Sequence, residues 1–188
     1  MTEPVALPPG SADTDIAIVG LAGRFPSARD IHEFWTNLRE GVESVTWLTD
    51  EQLRAAGVPE ELIADPQYVK AAYPIADMEG FDAGFFGFAP REASIMDPQQ
   101  RHFLELAWAG MEHAGHDPAR FDGSVGVYAG CGASNYLMFN LLTNPELVQN
   151  TGYFLLRHTG NDKDFLATRV SYLMNLRGPS VSVQTACS

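Results

Sequence analysis

Positive charge and cysteine are both scarce in this sequence of 188 residues. Twelve Lys and Arg stand against twenty-four Asp and Glu, which gives a formal net charge of −12, and no basic run could follow a phosphate backbone. The two cysteines, Cys131 and Cys187, are too few for a disulfide framework and too far apart for a metal knuckle. We therefore expect no nucleic-acid partner, no bound metal and two free thiols in a reducing compartment.

Long apolar runs are also missing, so no segment is predicted to cross a bilayer. The first residues have neither the basic nor the apolar region of a signal peptide, and their prolines and glycine predict a flexible leader over 1–14. The rest contains enough apolar residues to bury a core, with 45% of the sequence hydrophobic. We expect a soluble cytoplasmic protein whose folded part runs over 15–188.

Short β-rich runs alternate with helical patterns, which is typical of an α/β fold. Strands are predicted at 15–19, 125–130 and 180–185. Asp30 is the predicted N-cap of the first long helix, with Glu33 completing a capping box and Gly41 as the stop. The buried face of this helix is predicted to contain Ile31, Phe34, Trp35 and Leu38.

The clearest helix follows the motif MDPQQR. Asp97 is its predicted N-cap, Pro98 its first residue and Gln100 the partner in a second capping box, and Gly115 ends it. Its buried stripe is predicted to contain Phe103, Leu104, Ala107, Trp108, Met111 and Ala114. A last helix is predicted to begin near Asn161.

Several patterns have both a chemical and a structural interpretation. The loop GLAGRF lacks the G-x-G-x-x-G spacing of dinucleotide sites, which favours a structural turn. The run FDAGFFGFAP favours a packed aromatic loop over an acyl pocket. His102, His113 and His116 have no Asp, Glu or Cys set at metal-binding spacing, so we interpret them as surface or packing residues. For Cys131 the sequence favours a buried, inert thiol over a reactive one.

Cys187 follows the last predicted strand, in the motif TACS. A thiol at the first turn of a helix that follows a strand lies near the positive end of the helix dipole, which lowers the thiol pKa. Attack on a thioester would form an oxyanion close to the same backbone N–H groups. The helix would have to begin where the sequence stops, so chemistry alone favours an incidental cysteine and leaves the nucleophile open.

A family resemblance rests on six segments in order: IAIVGLAGRFP, EFW, FDAGFFGFAPREASIMDPQQR, LELAWAGMEHAG, VGVYAG and TGNDKDFLATRVSYLMNLRGPSVSVQTACS. Together they resemble the N-terminal half of a β-ketoacyl synthase domain of modular type I polyketide synthases, over 15–188. The resemblance implies a thiolase-like α/β fold, which in the complete domain has five layers, α/β/α/β/α, and works as a homodimer. It also implies that Cys187, the cysteine of TACS, is the acyl-accepting nucleophile.

The same resemblance implies a reaction and partners. The cysteine would accept an acyl chain from the phosphopantetheine of an acyl carrier protein, and decarboxylative Claisen condensation with malonyl- or methylmalonyl-carrier protein would extend it. The domain would bind no cofactor of its own and would work with its downstream half and an acyltransferase domain. The catalytic histidines and lysine of the family follow the cysteine, and no histidine of this chain stands in a matching motif. We therefore expect the natural chain to continue past Ser188, and the 188-residue piece alone to be inactive and poorly soluble.

Three departures from the family pattern leave the subfamily and substrate open. Gln184 stands where many members carry aspartate, Gly23 where a cysteine is frequent, and NDKD replaces a blander run before the last helix. Two other functions also stay open. One is a condensing enzyme of the same fold that uses coenzyme A, and the other is a truncated or gating synthase that does not elongate.

Overall fold

The computed structural model describes residues 15–186 of the protein. The predicted leader at 1–14 and the predicted nucleophile Cys187 lie outside the described residues. The helices are α1 (Ile31–Glu40), α2 (Asp50–Ala55), α3 (Glu60–Ile63), α4 (Pro90–Ser94), α5 (Pro98–His113), α6 (Pro145–Thr151), α7 (Tyr153–His158) and α8 (Leu166–Leu173). The strands are β1 (Thr46–Trp47), β2 (Ala71–Ala72), β3 (Val127–Ala129) and β4 (Ser180–Ser182).

A pair of parallel strands, covered on one face by helices, forms the centre of the fold. β3 pairs with β4 in the register Val127 to Ser180 and Ala129 to Ser182. α8 connects the two strands in sequence and packs against both, which is the crossover that a parallel pair requires. The core contains Met96, Leu104, Val127, Ala129, Leu166, Ala167, Val170 and Met174. The α/β class and a strand within each of the segments 125–130 and 180–185 are therefore confirmed, although each strand has only three residues, Val127–Ala129 and Ser180–Ser182.

The ends of α1 are as the sequence predicts, but its apolar face is not buried. Asp30 Oδ1 accepts a hydrogen bond from Glu33 N at 2.8 Å, and Gly41 ends the helix at a φ of 66°. The Glu33 carboxylate accepts from the backbone N of Arg29 at 2.8 Å, not from that of Asp30, so the predicted reciprocal capping box is wrong. Trp35 remains 60% exposed, since no described element packs over it.

α5 differs from its predicted pattern at its first turn. Asp97 Oδ1 accepts from Gln99 N at 2.7 Å. The side chain of Gln100 turns away and donates to the carbonyl of Asp162 at 2.9 Å, so the second capping box is also wrong. Leu104 is buried as predicted, and Phe103, Ala107 and Trp108 of the predicted stripe are partly buried against the core. The polar residues buried in the first turns of the helix were not predicted. The buried residues of the helix are Gln100, Arg101, His102 and Leu104.

The predicted strand at 15–19 is wrong. Ile16 is 94% exposed and Ile18 79% exposed, and among residues 15–186 no strand pairs with this segment. A β-rich sequence becomes a strand only when a neighbour satisfies its backbone groups. The segment continues into an irregular stretch that contacts α5. Leu21 N donates a hydrogen bond to Nδ1 of His113, the last residue of α5, at 2.9 Å.

The last predicted helix begins later than expected. Asp162 caps a short 3₁₀ turn at Lys163–Phe165, and α8 follows it directly. A π-helical turn at Leu137–Leu141 and the helices α6 and α7, which the sequence did not predict, fill the chain between β3 and this turn. Within the described part of the chain, no helix is both long and apolar enough to cross a membrane.

Candidate active site

The candidate site lies where β3 and β4 end. Parallel strands present their carboxyl ends at one edge of a sheet, and β3 continues there into Gly130 and Cys131. β4 continues into 183–186, the segment that immediately precedes Cys187 in sequence. Val183 N donates to the carbonyl of Ala129 at 2.8 Å, so the pairing persists one residue beyond β4.

Two backbone features distinguish this edge. A Cβ atom at Gly130 would collide with the carbonyl oxygen of Val183, so the two chain segments approach as closely as glycine permits. Ala186 has a φ of 51°, a left-handed conformation that is uncommon for a residue with a Cβ. Such backbone conformations cluster at functional sites, and this one occurs next to the predicted nucleophile.

A buried asparagine connects the loops behind this edge. The amide of Asn161 donates to the carbonyl oxygens of Ile95 at 2.6 Å and Leu156 at 2.8 Å. Its Oδ1 accepts from the hydroxyl of Ser134 at 3.0 Å, and that hydroxyl accepts in turn from Leu137 N at 3.1 Å. One side chain thus joins the segment before α5, the end of α7 and the loop after β3.

The DPQQ motif forms hydrogen bonds to the segment that contains Asn161. Asp97 N donates to the carbonyl of Gly160 at 2.9 Å, and Gln100 reaches the carbonyl of Asp162. Gly160 has a φ of 99°, and a Cβ atom there would lie 2.6 Å from Cγ of Met96. The sequence singled out this motif as a helix cap, but its polar side chains mostly bind loops distant in sequence. The sequence signal that could have suggested this is a run of polar residues at the start of an otherwise apolar helix.

Cys131 is half-buried beside this network. Burial raises the pKa of its thiol, the nearby Asp97 carboxylate raises it further, and Lys163 opposes the change. Both effects favour the protonated thiol, which supports the interpretation of Cys131 as an inert cysteine, although the residue is only partly buried.

His102 and the glycine loop, which were also candidates for a chemical role, make packing and hydrogen-bond contacts within the fold. His102 is buried, with Arg24 Nη1 2.8 Å from its Nδ1 and the Met78 carbonyl 3.0 Å from its Nε2. The glycine loop packs against α5, because a Cβ atom at Gly20 would lie 2.6 Å from the Gly110 carbonyl oxygen. Both the packing role of His102 and the structural turn are confirmed. Among residues 15–186 no group of three His, Cys, Asp or Glu could hold a metal ion.

The aromatic run after Asp77 is a packed loop, as the sequence favoured. The rings of Phe81 and Phe86 stack with centroids 5.5 Å apart, and the Phe85 ring meets the Trp108 ring edge-on at 4.9 Å. Phe81, Phe86 and Phe88 pack against the core.

The face of the strand pair opposite α8 is uncovered in the described chain. Tyr128 is 67% exposed, and Val181 and Val183 are 41% and 45% exposed. The side chains of β3 alternate between this face and the core, and those on both faces are apolar or aromatic, which is the composition of a sheet buried on both sides.

Replacing Gly130 with alanine tests the close approach at the site. The new methyl group must push the Val183 carbonyl away, and we expect the free energy of unfolding to fall by about 1–3 kcal/mol. Gly84 is the matched control, because a Cβ atom there would meet only the Asp82 carboxylate, at 3.6 Å. Urea unfolding of both variants of the intact protein measures the difference, and equal midpoints would contradict the close approach.

Comparisons with known proteins agree on one family. The family model described as "Beta-ketoacyl synthase, N-terminal domain" matches residues 13–188. The chain is 53% identical over 178 residues to a subunit of the phenolphthiocerol/phthiocerol polyketide synthase of Mycobacterium tuberculosis, covering 92% of this chain and 12% of that protein. It is 36% identical over 179 residues to polyketide synthase PksN of Bacillus subtilis, covering 94% of this chain and 3% of that protein.

Solved structures extend the likeness to the fold. Ketosynthase twelve of the bacillaene polyketide synthase of Bacillus amyloliquefaciens superimposes with a TM-score of 0.75 at 37% identity, over 90% of this chain and 29% of that one. The oxazolomycin ketosynthase domain of Streptomyces albus superimposes with a TM-score of 0.73 at 32% identity, over 89% of this chain and 28% of that one. The predicted thiolase-like fold, represented here by its N-terminal part, is therefore confirmed.

Proposed function

Because the chain belongs to the β-ketoacyl synthase family, matching its N-terminal domain over residues 13–188, we propose that it provides the acyl-accepting part of a polyketide ketosynthase. Cys187 is the proposed nucleophile. The observation that carries the proposal is the edge formed by β3 and β4, where the described chain reaches Ala186 in a left-handed conformation one residue before the cysteine. A constrained backbone at the end of a strand is suited to presenting a reactive side chain.

The proposed loading step is a thioester exchange. The Cys187 thiolate attacks the carbonyl carbon of an acyl chain carried on the phosphopantetheine of an acyl carrier protein. A bond from Sγ to the acyl carbon forms, the bond from that carbon to the pantetheine sulfur breaks, and the departing thiolate takes up the proton that Cys187 released. Phosphopantetheine is therefore part of the substrate, and the domain needs no cofactor of its own.

The proposed elongation step follows on the acyl-enzyme. Malonyl- or methylmalonyl-carrier protein loses carbon dioxide, and the resulting carbanion attacks the acyl carbonyl. Sγ of Cys187 departs as a thiolate and is reprotonated, leaving a β-ketoacyl chain on the carrier protein. Histidines that assist decarboxylation are proposed to come from sequence after Ser188, since His102, His113 and His116 have structural partners.

The partners follow from the same proposal. The chain spans only 12% of the length of its mycobacterial relative. We propose that it works with the downstream half of the domain, an acyltransferase domain and acyl carrier domains. The uncovered face at Tyr128, Val181 and Val183 supports a second layer of structure over the strand pair. We propose a homodimer that works in the cytoplasm. The piece 1–188 alone is expected to expose this face and to load no acyl chain.

Acyl transfer to Cys187 tests the proposal. The intact natural polypeptide is incubated with an acyl carrier protein charged with a short acyl chain, digested and mapped by mass spectrometry. We expect one acyl increment on the peptide that contains Cys187, and the same increment in the Cys131→Ser variant, because the raised pKa of the Cys131 thiol favours its protonated form. An increment on Cys131, or none at all, would overturn the proposal.

The alternative functions give different results in the same assay. The named polyketide synthase relatives favour a carrier-bound donor, and an enzyme that uses coenzyme A would load faster from an acyl-coenzyme A. A gating synthase would load Cys187 and release carbon dioxide without forming a β-ketoacyl product.

A further inference from the structure

Gln99 connects α5 to the loop that follows β3. It is the second residue of α5, and its side chain is half-buried beneath the segment Gly130 to Ala133. Its Oε1 accepts a hydrogen bond from Gly132 N at 3.0 Å, and its Nε2 lies 3.5 Å from the carbonyl of Ala133. One side-chain amide therefore meets both a donor and an acceptor of this loop, as a neighbouring strand would.

The orientation of Gln99 is itself constrained. Its backbone N donates to Asp97 Oδ1 at 2.7 Å, and its Nε2 lies 3.4 Å from Asp97 Oδ2. Asp97 is buried and its backbone N is bonded to Gly160. Because Nε2 is near the two acceptors Asp97 Oδ2 and the Ala133 carbonyl, Oε1 is the atom of the amide that faces Gly132 N.

The loop that Gln99 holds contacts the segment leading to the nucleophile. Gly130 lies against the Val183 carbonyl, and Gln184 Nε2 lies 3.8 Å from the position of a Cβ atom on Gly130. A shift of the loop would therefore be transmitted to 183–186, since the contact with Val183 leaves no free space between the two segments.

We propose that Gln99 is a positioning residue for acyl loading, which fixes the loop after β3 so that the segment before Cys187 is held in its reactive arrangement. The proposal rests on the proposed function of Cys187. Its physical basis is that displacing a reacting group by about 1 Å can lower a rate by about 10²-fold without changing the binding of distant parts of the substrate.

The Gln99→Met variant of the intact protein tests this role, because methionine keeps the length of the side chain and loses both hydrogen bonds. We expect the loading rate of Cys187 at saturating acyl-carrier protein to fall about tenfold, with the KM for that carrier within about twofold of wild type. Single-turnover mass spectrometry of the Cys187 peptide gives both quantities. The exposed Gln149 on α6 supplies the control, and Gln149→Met is expected to load as wild type does.

Gln99→Glu tests the contribution of the donor end of the side-chain amide. The introduced carboxylate still accepts from Gly132 N, but it cannot donate to Ala133 and is repelled by the Asp97 carboxylate. On protonation it regains a donor, so we expect loading relative to wild type at the same pH to recover as the pH is lowered. Gln99→Met has no such group, and its deficit should not change with pH.

The outcomes distinguish the two proposals. If wild type does not load Cys187, the proposed function fails. If wild type loads and Gln99→Met loads equally fast, or if its deficit equals its loss of folded protein in a melting experiment, only the role of Gln99 is overturned. A higher KM at an unchanged maximal rate would likewise overturn positioning and indicate a part in carrier binding.

Discussion

The Cys187→Ala variant of the intact protein is expected to lose acyl loading and chain elongation by about 10³-fold or more, because it removes the sulfur that we propose forms the covalent acyl intermediate. Removing a nucleophile eliminates the pathway, so the loss should appear in the maximal rate. We expect this variant to melt within a few degrees of wild type, since the change removes a single sulfur atom. Product formation from acyl- and malonyl-carrier protein, followed by mass spectrometry, measures the loss.

Cys131 provides the matched cysteine control. It lies one residue beyond the Gly130 contact, and burial raises the pKa of its thiol. We expect Cys131→Ser to elongate at a rate within about twofold of wild type, because a serine hydroxyl is close in size to the thiol. Equal losses in the two variants would indicate that both cysteines serve the fold and would contradict a catalytic role for Cys187.

The Asn161→Asp variant is expected to lower the free energy of unfolding by about 3 kcal/mol, because a buried carboxylate cannot donate to two carbonyls. Asn161 is 5% exposed, and its amide donates to Ile95 and Leu156 at 2.6 and 2.8 Å. The aspartate side chain has nearly the same shape, so the loss reports hydrogen bonding and charge burial, with little effect of packing. Urea unfolding of the intact protein measures it.

The pH dependence of this variant has a definite sign. Burial disfavours the charged carboxylate, so the pKa of the introduced group is raised in the folded state above its unfolded value. The folded state then binds the proton more tightly, and the deficit should shrink as the pH falls through the folded-state pKa. The exposed Asn150 on α6 supplies the control, and Asn150→Asp is expected to change stability by less than about 0.5 kcal/mol at any of these pH values.

The polar network suggests why the DPQQ motif contains so many hydrogen-bonding side chains. The side chains of Gln99 and Gln100 bind backbone groups of loops that follow β3 or precede α8. Asp97 binds the Gly160 carbonyl through its backbone N, and its carboxylate accepts from Gln99 N. A satisfied polar network in a buried setting fixes one arrangement of its loops more strongly than apolar packing does. The motif therefore stabilises the loops beside the candidate site, at a distance of 62 positions in sequence for the Gln100 to Asp162 bond.

Local signals in the sequence predicted the limits of several elements. Asp30 and Gly41 mark the two ends of α1, because capping and a left-handed stop involve residues within four positions of each other. The strands at β3 and β4 were predicted from their apolar alternation. The interpretation of Cys131 as an inert thiol is supported by the raised pKa of its thiol, of which burial is the largest cause.

Long-range contacts explain the wrong predictions. The segment 15–19 has the composition of a strand, but among the described residues no partner completes a ladder with it. Gln100 was predicted to complete a capping box, and instead binds Asp162, which only the folded arrangement brings close. No periodicity could show that a polar side chain in the first turn of a helix would find a carbonyl so far along the chain.

By itself, the sequence determined the α/β class, the family and the candidate nucleophile. These conclusions rest on motifs and capping patterns, each of which consists of residues that are close in sequence. Only the tertiary structure decided that Gly130 meets Val183, that Asn161 joins three segments and that Gln99 supports the loop after β3. The contact of Gly130 with Val183 depends directly on the parallel pairing of β3 with β4. That pairing brings together residues about fifty positions apart, and no local preference of the chain specifies it.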